Sequence, residues 1–451
     1  MEPRAGLAWD PSGDGKMAIR IGGAIANDFI RQDLHENTSS VTPFRLNVAM
    51  PGVRLDSPYA TFPGGNPFPY TYDAQNPTFP TQIPFQNFFP IPPDLKTTKQ
   101  YSWNIGVQRQ FTSSLFASAT YVGTHLSNTW TAVELNPGQF IPGNCAAGQY
   151  ALAAPGPCSN TNNVNQRRLL YLQNPVASAN LGYMTQLDDG GSQRYNGVLL
   201  NMTWRHGRSV NLAGNYTWSD CHGLPVTTLT NTGANYIHQP YQNNGPIDID
   251  LDMGPCTSNA AIAALDVRHV GNVTLVVNTP TFTGTWGRRL GSGWTLATVF
   301  RASSGQPLTP TLGSDRALNG FLAAGAQPIP QRPNQVLPDI EAPDRGQNCL
   351  PAPCVAWVNP DAYALPNLGT YGDVGVGSLR GPTFWQWDQA VSRQFPIGMG
   401  QQIEIRVEAF NVTDSLRLGN PITSMSDARF GRIVSSAGGP RVMQIAVKYI
   451  F

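Results

Sequence analysis

The sequence predicts an all-β protein, an antiparallel transmembrane β-barrel, and three observations predict it. About eleven segments alternate apolar and polar side chains with period two, the pattern of a strand with one apolar face. The connectors between them are alternately short and long without exception, which barrels obey and a soluble sandwich has no reason to obey. Only 13% of the residues are charged, against ~25% in typical soluble domains. Asn, Gln, Ser, Thr, Gly and Pro take their place, and the 45 glycines and 39 prolines concentrate between the patterned segments. This is a turn-rich all-β composition.

Composition also narrows function. With 41% hydrophobic residues and a mean hydropathy of −0.24, the chain has no run near the ~18 apolar residues of a membrane helix. If it lies in a membrane, it does so as a barrel. A net charge of +1 leaves no basic excess to neutralise phosphates, which argues against nucleic acid as a partner. The opening MEPRAGLAWD has no basic n-region followed by an apolar run and so is not a signal peptide. Either the protein is cytosolic or the chain begins inside a longer gene.

Taken in order, residues 3–9 and 16–26 form the first pair, joined by DPSGDG, a tight-turn composition. Met17, Ile19 and Ile21 share a face opposite Ala18, Arg20 and Gly22. After a long connector, 27–98, come 99–110 and 114–124, with a turn at Phe111 to Ser113. Tyr101, Trp103, Ile105 and Val107 alternate there with Ser102, Asn104, Gly106 and Gln108, and Leu115, Ala117, Ala119 and Tyr121 repeat the pattern. The connector 125–192 leads to 193–205 and 208–218, which meet near His206 and Gly207 and carry aromatics near their ends, as an interfacial girdle requires. Beyond 219–265 lie 266–279 and 293–303, joined by TPTFTGTWGRRLGS; beyond 304–382 lie 383–395 and 401–412, joined at PIGMG. In the latter, Ile403, Ile405 and Val407 alternate with Glu404, Arg406 and Glu408. Charge on a lipid face costs up to ~2–4 kcal/mol at mid-membrane, so Glu404, Arg406 and Glu408 are expected to face the lumen.

The connector 413–439 leads to the last strand, PRVMQIAVKYIF. Met443, Ile445, Val447, Tyr449 and Phe451 fall on one face, with Gln444, Ala446 and Lys448 between them. A soluble domain seldom ends on such a strand, because a bare edge invites pairing with other chains; a sandwich edge is the plain alternative. In outer-membrane barrels the final strand closes the sheet, and these five residues resemble the assembly signal read by the barrel-assembly machinery. Single-chain barrels have an even number of strands with both ends on the periplasmic side. Counting back from Phe451 leaves the first segment without an outward partner, so the chain is expected to start partway round a barrel.

Several pieces resemble, in order, the C-terminal barrel half of Oar-like TonB-dependent outer-membrane receptors, the group with an N-terminal carboxypeptidase-regulatory-like domain. They are PRAGLAWDPSGDGKMAIRIGGAIAND, KQYSWNIGVQRQF, RYNGVLLNMTWR, GNYTWSD, LDVRH, GWTLATVFRASSGQPLTP, RVEAFNVTDSLRLGNP and FGRIVSSAGGPRVMQIAVKYIF. The resemblance runs from end to end. It implies that residues 1–451 are the C-terminal part of a 22-stranded barrel with long extracellular loops and short periplasmic turns. It also implies an internal plug, a TonB-binding box and a signal peptide, none of which is present here. Met1 is therefore expected to be an internal start or the start of a truncated gene model.

The remaining chemistry is sparse. Six cysteines pair by proximity within connectors: Cys145 with Cys158, Cys221 with Cys256, and Cys349 with Cys354, none of them placed in a strand. Disulfides in an oxidising compartment are one reading; metal binding, hinted only by His222 next to Cys221 and without CxxC spacing, is the other. Asp248, Asp250 and Asp252 resemble the start of a calcium loop, yet Gly254 comes one residue late and Asn259 stands where Glu belongs, so a solvated acidic loop is the alternative. Residues 58–93 are dense in aromatics and prolines. Tyr59, Phe62, Phe68, Tyr70, Tyr72 and Phe79 are candidates to stack on a sugar or hold apolar peptide side chains, or else to pack on one another. G-x-S-x-G, H-E-x-x-H and a phosphate-binding glycine loop are absent, so no enzyme and no cofactor is expected. His269, in LDVRH, reads as structural.

The expectation is an outer-membrane receptor barrel in contact with membrane lipid. Its parent takes up a solute, a sugar or a peptide, with energy passed by the TonB complex through the missing N-terminal region. A passive porin or structural barrel, and a secreted carbohydrate-binding β protein, are the alternatives.

Overall fold

The computed structural model describes residues 2–28, 45, 52–62, 64–71, 73, 75, 86–179, 181–223, 253–256, 266–320, 331–350, 353–398 and 400–451. Among them, eleven strands form one antiparallel meander: β1 Arg4–Trp9, β2 Met17–Asn27, β3 Lys99–Gln110, β4 Leu115–Glu134, β5 Leu181–His206, β6 Val210–Gly223, β7 His269–Asn278, β8 Trp294–Ser303, β9 Phe384–Gly398, β10 Gln401–Phe410 and β11 Val442–Ile450. Each pairs only with its neighbours in this path, apart from two short strands, Gln86–Phe88 beside β5 and Gly254–Pro255 beside β6. Among the described residues β1 and β11 are not paired with each other or with a further strand, so the sheet has an open edge on each side. No described helix is long and apolar enough to cross a membrane, which says nothing of strands.

The register gathers the apolar positions into continuous rows. Leu7 lies opposite Ile21, Ile21 opposite Ile105, Ile105 opposite Tyr121, and Tyr121 opposite Val198. At the far side Ile405 pairs with Val447 and Val407 with Ile445. These side chains are uncovered: Ile105 is 47% exposed, Val447 70% and Ile445 74%. A soluble sheet would bury such a face; here it is the surface.

One close approach fixes a glycine in that face. The Trp103 indole lies across Gly123, and a Cβ there would come within 2.3 Å of the ring. Gly123→Ala therefore has to displace the indole, and overpacking of this kind costs ~1–3 kcal/mol. The variant is expected to lose its heat-modifiable form at a lower temperature, and adding Trp103→Leu should restore it. An unchanged transition in the single variant would contradict the packing.

The short connectors, and the long ones at 27–98, 304–382 and 413–439, agree with the sequence to within a few residues, but those at 125–192 and 219–265 are shorter than the sequence suggests. β4 runs on to Glu134 and β5 begins at Leu181, so the two ends of what reads as a connector over 125–192 are a two-stranded extension, with register shifts around Thr129. Period two lapses there because the extension packs polar and apolar side chains alike under the connectors, with Thr131, Glu134, Thr185 and Leu187 all buried, and no lipid face enforces alternation. β6 likewise continues to Gly223, which puts Cys221 inside a strand, and Cys145 falls in a two-residue strand, Asn144–Cys145, both contrary to the sequence-based placement.

Apart from Ala409, every buried hydrophobic residue lies in a long connector or in these strand extensions. Val358, Ala362, Tyr363, Val374, Leu379 and Phe430 form a small core between the connectors 304–383 and 411–441. Its centre is an edge-on pair, Tyr363 and Phe430, with ring centroids 5.7 Å apart. Burial pushes the Tyr363 phenol up to about 12. The chain thus keeps its packed interior at one end of the sheet, as a cap.

Candidate functional site

The cap is held by buried polar groups as much as by its small apolar core. Arg167 is fully buried. Its Nε donates to Asn163 Oδ1 at 2.8 Å, and one Nη donates to Asn160 O at 2.9 Å and Leu318 O at 2.8 Å, while the other reaches Gln139 O. One guanidinium therefore ties the 135–180 connector to the 304–383 connector. Loss of solvation lowers its pKa to about 10, against the opposing attraction of Asp315. The adjacent Arg168 lies 3.9 Å over the Tyr183 ring and donates to Asn136 O and Asn165 Oδ1. Such groups are stable in a dry interior only when their donors are met.

A second junction is centred on Asp266, also fully buried. Its carboxylate accepts from the Cys221 amide at 3.1 Å, lies 3.6 Å from Arg268 and is reached by Arg380, which comes from the 304–383 connector. Arg268 also pairs with Asp220 at 2.8 Å. Asp266 and Arg268 belong to the LDVRH piece, whose chemical role was not legible; His269, read as structural, hydrogen-bonds Tyr216 across the strand at 2.6 Å.

All six cysteines pair within the cap: Cys145–Cys158, Cys221–Cys256 and Cys349–Cys354, with Cα separations of 4.9, 5.2 and 5.2 Å. Among the described residues no cluster of three His, Cys, Asp or Glu side chains is arranged to hold a metal. Peptide mapping without reductant is expected to recover these three links. A bridge closing a ~15-residue loop is worth about 3 kcal/mol in the chain-entropy model, so reduction should expose the 145–158 loop to protease first. Free thiols in protein taken from the membrane would contradict the pairing.

The other polar surface is the face of the sheet opposite the apolar rows. Glu404, Arg406 and Glu408 lie on it, Arg406 pairing with Glu408 at 3.0 Å and Gln444 donating to Glu408, with Lys448 opposite Glu404. Further round, Asp388 sits 3.4 Å from Arg301 and accepts from Gln386 at 2.7 Å and the Asn411 amide at 2.9 Å. Asn272 donates to Asn215 at 2.9 Å and Asn201 to Ser118 at 3.4 Å, continuing a row of amides. The face is wet, hydrogen-bonding and mixed in charge, suited to line a water-filled passage.

Of the aromatic candidates, Tyr59 and Phe68 pack together with centroids 5.8 Å apart, and Phe62 and Tyr70 are half-buried. Tyr72 and Phe79 lie outside the described residues, as do Asp248, Asp250, Asp252 and Asn259. The candidates are not one cluster: the aromatics, the charged row and the cysteines occupy three regions. The terminal-strand residues Met443, Ile445, Val447 and Tyr449 share the apolar face, with the Phe451 ring tilted beside Tyr449, centroids 5.8 Å apart. Arg167, Arg168 and Asp266 were missed: the arginines because a charged residue in a polar connector carries no sequence signal of burial, and Asp266 because it reads as the first residue of the strand 266–279, which in fact begins at His269.

The sequence matches the family described as "Outer membrane beta barrel domain" over residues 1–444. No curated protein matches the chain. Similar solved structures include the outer membrane transporter YddB from Escherichia coli, with 11% identity, 99% of this chain and 40% of that one covered, and a TM-score of 0.45. The Ferric-Catecholate import receptor Fiu from K12 E. coli is 10% identical, with 99% and 34% covered and a TM-score of 0.38. The FrpB iron transporter from Neisseria meningitidis is 10% identical, with 100% and 39% covered and a TM-score of 0.39. The chain spans two fifths or less of the length of these three.

Proposed function

Because this chain belongs to the outer membrane beta barrel domain family, and so to the bacterial outer membrane, we propose that it is the C-terminal barrel portion of an Oar-like TonB-dependent receptor that takes up a solute. The observation that carries the proposal is the pair of open sheet edges, at β1 and β11. Lipid tolerates no unpaired strand edge, since each bare amide and carbonyl costs several kcal/mol. Eleven strands in one arc therefore need further strands to close, and the ordered resemblance supplies their number, 22. A lumen of that width is plugged rather than left as a pore. Uptake then needs energy, which the TonB complex delivers through the N-terminal region of the parent.

In this reading the apolar rows meet lipid, and Glu404, Arg406 and Glu408 line the lumen with the Asn215–Asn272 row. The barrel-assembly machinery reads Met443, Ile445, Val447, Tyr449 and Phe451. The disulfide-stapled cap is the extracellular surface that meets the solute, with Tyr59, Phe62, Phe68 and Tyr70 as candidate contacts for a sugar or an apolar peptide; Tyr72 and Phe79 belong to the same stretch.

The test is the size and content of the polypeptide that carries these residues in outer membranes. An antibody to the cap is expected to detect a band well above 48.8 kDa, and its peptides should include a plug and a regulatory-like domain. A heat-modifiable barrel of 48.8 kDa, with no larger form, would overturn the proposal.

A further inference from the structure

The apolar face carries an unusual cation. Arg109 points to that face, between Met17 and Ala117 in the register, two residues from the turn that ends β3. It is exposed, its guanidinium lies 5.3 Å over the Phe111 ring, and among the described residues it has no carboxylate partner. The same three residues, Arg-Gln-Phe, recur at 393–395 at the end of β9. There the guanidinium is taken up by protein: it lies 5.1 Å over Trp294 and 4.8 Å over Phe395, and donates to Arg289 O. Arg109 is the copy left open.

Beside Arg109 the face is hollow. Ala117, Ala119 and Gly214 are too small to fill it, and Leu200 and Tyr216 flank a depression of about 670 Å³ that reaches from Met17 on β2 to Val273 on β7. Six strands ~4.8 Å apart make it on the order of 20 Å wide across the strands, and strands of such barrels tilt by ~35–45°, so a chain lying in it runs obliquely over the sheet. Short turns of such barrels face the periplasm, so Arg109 stands at the periplasmic interface. An arginine stem lies along apolar surface while its head reaches the polar boundary, where its planar fork matches a phosphate.

We propose that this depression holds an acyl chain of an anionic glycerophospholipid of the periplasmic leaflet, whose phosphate pairs with Arg109. The inference rests on membrane placement and not on what the receptor takes up. Its test uses the protein extracted from outer membranes in mild detergent, supplied with phosphatidylglycerol and weighed by native mass spectrometry. One phosphatidylglycerol is expected to stay bound under conditions that strip the others. Arg109→Gln should reduce its retention at least tenfold, Arg109→Lys should keep most of it, and Ala119→Phe, which fills the hollow, should abolish it. Arg393→Gln should leave it unchanged. Each variant is first shown to keep the heat-modifiable form, and Arg109→Gln alone suffices if the phenylalanine variant does not fold. Equal retention by wild type and Arg109→Gln would overturn the proposal, as would retention of lipid A in preference to phosphatidylglycerol.

Discussion

Replacing Val447 and Tyr449 together with aspartate prevents the protein from reaching the outer membrane, and deleting Phe451 does the same, whereas Gln444→Ser and Lys448→Ser variants assemble. Val447 and Tyr449 sit on the apolar face of β11, opposite Ile405 and Ile403. Gln444 and Lys448 sit on the other face, toward Glu408 and Glu404. Charge on the lipid face costs up to about 2–4 kcal/mol at mid-membrane, less for a carboxylate and ~0–1 kcal/mol near the interfaces. Val447 and Tyr449 lie toward the turn end of the strand, so the two carboxylates act chiefly by breaking the apolar pattern of the closing strand. The polar face meets water, and serine there loses one hydrogen bond worth ~1 kcal/mol. Heat-modifiability and surface labelling separate the two sets. Equal assembly of both would remove the distinction between the faces.

The second large effect belongs to the cap. Arg167→Met leaves the Gln139, Asn160 and Leu318 carbonyls buried without their donor. Removing one partner from a buried charged network costs ~3–5 kcal/mol, and every ~1.4 kcal/mol is a factor of ten. Amide exchange across 135–180 and 304–320 is therefore expected to accelerate about a hundredfold or more, with the heat-modifiable barrel unchanged. Arg167→Lys keeps the charge but not the fork, and should fall between. If exchange stays slow in Arg167→Met, or if the barrel melts with the cap, the guanidinium is not the tie between the two connectors.

The two halves of the molecule were unequally legible. The strands could be read because lipid on one face and water on the other enforce alternation: 99–110 is Lys99–Gln110, and 293–303 is Trp294–Ser303 to within a residue. The rise of β4 to Glu134 and of β5 from Leu181 could not, because beyond the apolar rows the strands pack polar and apolar side chains alike against the connectors and the selection for alternation ends. The cap core was also hidden. Val358, Val374, Leu379 and Phe430 are spaced without period among prolines and glycines, and meet only through tertiary packing. Arg167 and Arg168, in NVNQRRLLYLQ, read as solvated charge; what buries them is a carbonyl-lined pocket built partly by Leu318, 151 residues away. The cysteines were the exception, since each pair lies close in sequence and needs no second connector.

Accessibility along one strand tests the central claim most directly. All six native cysteines are bonded, so a single introduced cysteine can carry a nitroxide at each position from 403 to 408, in outer membranes. Labels at 403, 405 and 407 should be relaxed by oxygen dissolved in lipid, and labels at 404, 406 and 408 by a water-soluble nickel chelate, with a strict period of two. Equal exposure of both sets to the nickel chelate would contradict a membrane-spanning barrel.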